Sequence, residues 1–334
     1  MRYYIGVDIG GTNIKVGIVS EDGKAVANDS FTTKSNDGPE AVVESIKNEL
    51  QKLVKRADMT RDQITGVGIG SPGPLDASDG MIVATPNLKG WNNVPLRDMV
   101  SKATGLPAIL ENDANAAAFG EFWAGAGKGD EVKHLVMLTL GTGIGGGIVT
   151  DGQLVHGRHG LAGEVGHAIV IPNGRLCGCG QRGCIEAYAS ASNVAKITNE
   201  QLAAGDATGG SASSLKPIYD AKGKVSSKDI FEHAEQGDKL ALAIVDQTAD
   251  YLGMLCVNVC RFLDPQMIVF AGGMILAGDF LFDRIRASFK RHTWTIVDDK
   301  VTIVPAELGN DAGFIGAAAV AWDGERRGVL VTAK

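Results

Sequence analysis

The sequence predicts an α/β protein built in two related halves, and three observations carry that prediction. The chain has 334 residues, enough for two domains with substantial cores. Apolar runs of strand length alternate with longer stretches of helical period. One device also occurs twice: DIGGTNIKVGIVSEDG near the start and LGTGIGGGIVTDG near the middle both read strand, Gly-rich turn, strand.

The opening YYIGVDIGGTNIKVGIVSEDGKAVANDSFTT reads as three strands, about 3–9, 13–20 and 24–33, joined by DIGGTN and by a hairpin at EDGK. The first strand is mostly apolar, as a buried strand should be. A helix follows over about 38–56, with apolar residues at 42, 43, 46, 50, 53 and 54, close to a 3.6-residue period. Next come a strand (ITGVGIGSPG), a Gly/Pro loop, a helix over about 95–103, a strand (PAILEN) and an Ala-rich helix from Asp113. The second half repeats the hairpin. It continues with a long helix over 239–263, a strand (QMIVFAGG), a further helix, the strand VTIVPAEL and a closing helix from about 312. The stretch 205–224 is polar and Gly/Ser-rich, and is expected to be an exposed, mobile connection with no chemistry.

Charge and composition exclude several classes. Lys plus Arg is 32 and Asp plus Glu is 39, a net charge of −7, which leaves no basic field for nucleic acid. No run approaches the roughly 20 apolar residues of a membrane span. The N-terminus has no long apolar segment and no small-residue cleavage site, so the expectation is a cytoplasmic chain.

The densest chemistry lies in GEVGHAIVIPNGRLCGCGQRGCIEAY. His167, Cys177, Cys179 and Cys184 form a ligand set that zinc accepts in closed, tetrahedral structural sites. Three close cysteines can instead be two disulfide partners and a spare thiol, but a cytoplasmic chain favours thiolates on a metal. With four protein ligands no position remains for an activated water, so the expected role is structural. Cys256 and Cys260, in an apolar helical stretch, are expected in the core. Glu164 and Glu186 flank the metal set, and with His167 they can accept hydrogen bonds from adjacent hydroxyls, such as those of a sugar.

The turn Gly10-Gly11-Thr12 after Asp8 can bring phosphate oxygens onto backbone N–H groups, with Asp8 holding magnesium through water. An ordinary Gly-rich hairpin explains it equally well. GTGIGG, Gly141 to Gly146, matches a dinucleotide fingerprint formally, but a strand follows where a helix is required. It reads as a second phosphate-facing hairpin, with Thr142 and Gly143 nearest the ligand. AGG at 271–273 either lines a nucleoside pocket or is a helix entry that needs small residues. Asn112-Asp113 sits between a strand and an Ala-rich helix. Asp113 there is either a helix N-cap or a base that deprotonates a hydroxyl, its neighbouring amide orienting the substrate.

Taken together, the D-x-G-G-T opening, the repeated hairpin, END-A-N, and GE-x-GH followed by C-x-C-G-x-x-G-C-x-E resemble the ROK family of bacterial sugar kinases and sugar-responsive repressors. Within the family the motifs are most like those of glucokinases. The resemblance runs from Asp8 to the LGNDAG segment at 308–313. It implies an actin-like ATPase (ribonuclease H-like) fold: two α/β domains around a cleft, each with a central mixed sheet. The smaller domain is expected at 1–115 and the larger at 116–315, with a closing helix about 316–330 packing back on the first.

The resemblance further implies ATP-dependent phosphorylation of the 6-hydroxyl of glucose, with Asp113 as base. Gly73, Asn87, Asn112, Glu164, His167 and Glu186 would hold the sugar. Asp8, Gly10, Gly11, Thr12, Asn13, Lys15, Thr142, Gly143, Gly272 and Gly273 would line the ATP site. ATP, Mg2+ and structural Zn2+ are the implied cofactors, and a homodimer the implied assembly. Competing expectations are a kinase for fructose, mannose, allose or an N-acetylhexosamine, a polyphosphate donor, and a non-catalytic sugar-responsive regulator. The regulator needs a DNA-binding helix-turn-helix first, and here strand one begins at about residue 3.

Overall fold

The computed structural model describes residues 1–33, 37–85, 90–129, 131–296 and 300–333. In chain order its first elements are β1 (Tyr3–Ile9), β2 (Asn13–Ser20), β3 (Ala25–Thr32), α1 (Gly38–Arg56), β4 (Ile64–Ser71), β5 (Leu75–Asp76), β6 (Met81–Ala84), β7 (Asn92–Val94), α2 (Leu96–Thr104), β8 (Ala108–Asn112) and α3 (Asp113–Ala124). There follow β9 (Leu135–Leu140), β10 (Ile144–Thr150), β11 (Gln153–Leu154), α4 (Glu186–Ala189), α5 (Ala191–Ala204), α6 (Lys216–Lys222), α7 (Ser227–Glu235), α8 (Lys239–Leu263), β12 (Met267–Ala271), α9 (Asp279–His292), β13 (Thr302–Pro305) and α10 (Ala312–Arg326).

Two five-stranded mixed sheets share one topology, β3-β2-β1-β4-β8 and β11-β10-β9-β12-β13. In the first, β1 pairs antiparallel with β2 and parallel with β4, and β4 pairs parallel with β8. In the second, β12 lies parallel to both β9 and β13. The repeated Gly-rich hairpin is therefore the start of a repeated sheet. By compactness the chain forms two units. One is Met1–Lys133 with Gly147–Gly163 and Glu307–Lys334; the other is His134–Gly146 with Glu164–Ala306.

In the first unit the period-2 alternation of a strand sorts residues between two different faces. Ile5, Val7 and Ile9 of β1, with Val67 and Ile69 of β4, join Val42, Ile46, Leu50 and Leu53 of α1 and Val100 of α2 in one buried cluster. On the opposite face, toward α10, two facing positions are glycine. A Cβ on Gly6 would lie 1.7 Å from the Phe314 carbonyl oxygen, and one on Gly68, paired with Gly6 across β1 and β4, would lie 1.7 Å from that of Ala317. No side chain fits there, so the helix backbone rests on the sheet itself. Tyr4, Val19, Phe314, Ile315, Ala318 and Ala321 close the core around that contact. The expected Gly/Pro loop after β4 also holds the small sheet β5-β6-β7, too short to show a period.

In the second unit α8 buries Ile244, Val245, Leu252, Leu255, Cys256 and Val259 among others, and Cys260 is buried too. Among the described residues it is the single helix long and apolar enough to cross a membrane, and more than half of its apolar window is buried against the protein. The stretch 205–224 differs from expectation. It holds two 3-10 turns and α6, with Pro217 in the first turn and left-handed Gly223 at the C-cap. Leu215 is fully buried. Ser213 and Ser214 hydrogen-bond Asp238, whose carboxylate also caps α8 by accepting from Ala241 N at 2.9 Å. One buried leucine and a set of cap hydrogen bonds fold a segment whose composition carries no period.

Candidate active site

Parallel strands β1, β4 and β8 run side by side, so their carboxyl ends share one edge of the first sheet. This is the edge at which open α/β sheets bind ligands. Asp8 lies opposite Gly70 of β4, and Ser71 lies opposite Asn112 of β8, with Gly73 two residues further on. Asp8, Gly73, Asn112 and Asp113 are thus brought together by strand register alone. Asn87 lies outside the described residues.

The β8–α3 junction assigns the cap differently from the sequence reading. Asn112, in extended conformation, is the N-cap: its Oδ1 accepts from Ala114 N at 2.9 Å and Asn115 N at 3.2 Å. Asp113 is the first helical residue. Its carboxylate accepts from Ala114 N at 2.8 Å, an amide that Asn112 Oδ1 also takes, so the helix start does not depend on Asp113 alone. Burial raises the Asp113 pKa above the ordinary carboxylate value. Burial, and then the charge of Asp113, push Asp8 up to about 6, with Lys15 opposing. Two mutually repelling half-buried carboxylates with one lysine nearby are a donor set that suits a divalent cation.

The β1–β2 turn is tight, with Gly10 N donating to Asn13 O at 3.0 Å, and it is anchored from β3 by Thr33, whose hydroxyl donates to Gly10 O at 2.7 Å. Gly11, Thr12 and Asn13 are exposed. Lys15 pairs with Asp8 across the strands and reaches the Asn310 carbonyl at 2.5 Å and Asp311 at 3.8 Å.

In the second unit the β9–β10 turn repeats the device, Gly141 N donating to Gly143 O at 3.0 Å. Glu186, the first residue of α4, accepts from Ile144 N at 2.9 Å and so ties the sugar-motif carboxylate to this turn. Thr142, Gly141 and Gly273 line a cavity of about 1560 Å³ together with Lys196, Tyr219 and Lys222. Gly272 ends β12 beside Leu140. Tyr219 and Lys222 lie in the stretch from which no chemistry was expected. No motif marks them, because they converge with Lys196 from separate helices.

His167, Cys177, Cys179 and Cys184 place one ligand atom each within 4.8 Å of one another. Cys179 and Cys184 sulfurs are 3.7 Å apart, and Cys177 Sγ is 3.7 Å from His167 Nδ1. Zinc–sulfur bonds of about 2.3 Å at tetrahedral angles put two sulfurs about 3.8 Å apart, so the donor set fits a tetrahedral zinc. All five cysteines are free thiols, which sets the disulfide reading aside. The loop has little regular structure: isolated bridges at Ile169–Cys184 and Leu176–Arg182, and Gly183 with φ 84°, where a Cβ would meet the Ile171 oxygen at 1.8 Å. His167 turns Nε2 toward Glu164, 3.8 Å from Oε2, while Nδ1 faces the cysteines. One imidazole thus serves the metal set and the carboxylate side at once.

Sequence reasoning also passed over Glu111 and His156. Glu111 is 3% exposed, and its Oε2 lies 2.7 Å from His156 Nε2. No spacing links the two residues, and only the fold brings them together.

Comparison with known proteins agrees with this geometry. A model of the ROK family matches residues 4–323. Over 316 residues the chain is 40% identical to a glucokinase of Halalkalibacterium halodurans, covering 94% of this chain and 93% of that one. It is 39% identical over 319 residues to a glucokinase of Thermotoga maritima, covering 95% and 96%. Among solved structures it resembles a ROK family glucokinase from Streptomyces griseus in complex with glucose and AMPPNP, with a TM-score of 0.74 and 35% identity over 95% of this chain and 98% of that one. A match over almost the whole chain, on a fold of two like mixed sheets, makes this protein a member of the ROK family.

Proposed function

We propose that this protein is an ATP-dependent glucokinase, transferring the γ-phosphoryl group to the 6-hydroxyl of glucose and releasing ADP and glucose 6-phosphate. The observation that carries the reading is Asp113: a half-buried carboxylate at the carboxyl edge of a parallel sheet, its pKa raised by desolvation, with Asn112 as the helix N-cap beside it. The whole-length likeness to glucokinases supplies the substrate.

In this reading Asp113 accepts the proton of the 6-hydroxyl as its oxygen attacks phosphorus, a contribution of roughly 10²–10⁴-fold for one general base. Asn112 keeps its amide Nδ2 for the sugar while Oδ1 holds the helix. Within the first unit Gly73 stands at the same sheet edge, and within the second unit Glu164, His167 and Glu186 offer acceptors for sugar hydroxyls. In the first unit the turn at Gly10–Asn13 offers backbone N–H groups suited to phosphate; in the second unit the turn at Thr142–Gly143 does the same, and the lysine-bordered cavity beside Gly273 suits a nucleoside. Asp8 would hold the magnesium that accompanies ATP, which would supply charge neutralisation at the phosphates. His167, Cys177, Cys179 and Cys184 would hold zinc, which would supply a rigid cross-link for their loop.

The test is ADP release with ATP and magnesium across a panel of hexoses. Strong turnover with glucose is expected. Turnover with mannose or an N-acetylhexosamine in its place would keep the mechanism and change the substrate. Silence with every sugar would overturn the kinase reading with ATP as donor.

A further inference from the structure

The turn that carries Asp113 is fixed from behind by a buried carboxylate. Glu111 Oε1 accepts from Asn112 N at 2.9 Å and from Asn115 Nδ2 at 3.1 Å. Asn115 N in turn donates to Asn112 Oδ1 at 3.2 Å. One oxygen of Glu111 therefore holds two of the four residues Asn112–Asn115, and those two also hold each other. Its second oxygen takes His156 Nε2 at 2.7 Å. A buried carboxylate survives only where its oxygens are filled, because an unpaired charge out of water is costly.

His156 stands on the segment after β11 and is about one-third exposed, bordering a cavity of about 840 Å³ that also touches Arg97, Arg158 and Asp323. The charged groups acting on its ring are Glu111 from β8, Asp323 from α10 and Arg327 just beyond α10. Glu111 dominates, and holds the imidazole pKa above its ordinary value. The contact thus has the charge-assisted character of a strong, directional hydrogen bond.

We infer that Glu111 and His156 are positioning residues for phosphoryl transfer: the pair sets the backbone of Asn112–Asn115 and, through it, the aim of the Asp113 carboxylate and the Asn112 amide. Neither residue touches the substrate in this assignment, which rests on the reading of Asp113 as base. The energetic logic is that of any reacting group held by a bonded support. A displacement of about 1 Å at the base costs on the order of 10²-fold in rate.

The experiment compares the wild-type chain with His156→Ala, His156→Gln and Glu111→Gln, in two readouts. The first is steady-state kinetics with glucose and ATP. His156→Ala is expected to lower kcat about 10- to 100-fold with KM for ATP unchanged. His156→Gln, which keeps an N–H donor for Glu111, should recover to within about threefold of wild type. Unchanged kcat in His156→Ala would overturn the assignment. So would a general loss that moves KM for ATP and is not rescued by Gln. The second readout is amide hydrogen exchange across residues 108–119, which does not depend on activity. The amides of Asn112, Ala114 and Asn115 should exchange at least about 10-fold faster in His156→Ala and Glu111→Gln. Wild-type protection of those amides in both variants would refute the positioning role. Should the wild-type protein phosphorylate no sugar, the functional reading fails, and the exchange data still decide whether the pair fixes the turn.

Discussion

The Asp113 turn in the first unit and the Cys/His loop in the second solve the same problem by opposite means. Each must hold polar side chains in fixed directions. The Asp113 turn does so with regular structure: a parallel strand ends, a helix begins, Asn112 caps it, and Glu111 locks the backbone from a buried position. The Cys/His loop has two isolated bridges, a four-residue helix and a small apolar cluster around Tyr188, and four of its side chains converge within 4.8 Å. The thiols of this set differ in acidity. Burial pushes Cys177 up to about 12, while hydrogen bonds from Gln181 draw exposed Cys179 down to about 7. A bound dication would hold every sulfur as thiolate. In the proposed function, secondary structure would fix the reacting group as part of the fold, whereas a metal clip would make the order of the loop conditional on occupancy.

This contrast can be broken at either end. The largest effect is expected from Asp113→Asn, which keeps an acceptor for Ala114 N but cannot take a proton. Turnover should fall roughly 10²–10⁴-fold. The ADP-release assay checks this, and turnover within threefold of wild type would remove Asp113 from the chemistry. Next in size is Cys179→Ala. We expect metal content to drop and glucose affinity to fall about 10- to 100-fold, with the loop losing order while the first unit stays folded. Mass spectrometry of bound metal and calorimetry of sugar binding read both effects.

The smallest effect is on stability. The Asp8 carboxyl is raised in the folded state from 3.8 to about 6, so folding binds its proton. The stability this contributes is fully present below the unfolded pKa of 3.8 and is lost as pH rises through about 6. Asp8→Asn should therefore gain up to about 3 kcal/mol over wild type at pH 8 and nothing near pH 4, by denaturant titration, while losing kinase activity. A gain equal at both pH values would contradict the burial argument.

Much of this architecture was legible because its signals are local. The helices at 38–56 and 239–263 carry a clean period and appear as α1 and α8 with those bounds. The doubled hairpin predicts the doubled sheet because glycine turns between apolar strands mark the same event twice. What stayed hidden is whatever the fold assembles from distant pieces. His156 and Glu111 are 45 residues apart and meet only because β8 and the segment after β11 share a unit. Lys196 and Lys222 reach one cavity from α5 and α6, and α6 has too few apolar residues to announce itself. Asn112 took the cap that Asp113 also suits, a choice made by one residue of register that local sequence does not determine.

The most direct test of the whole account is glucose affinity by calorimetry, measured side by side in Asp113→Asn and Cys179→Ala. The account predicts a double dissociation. Asp113→Asn binds glucose to within about tenfold of wild type and does not turn it over, whereas Cys179→Ala loses binding and metal together. Equal loss of glucose affinity in both variants, or full affinity in a metal-free Cys179→Ala, would contradict it.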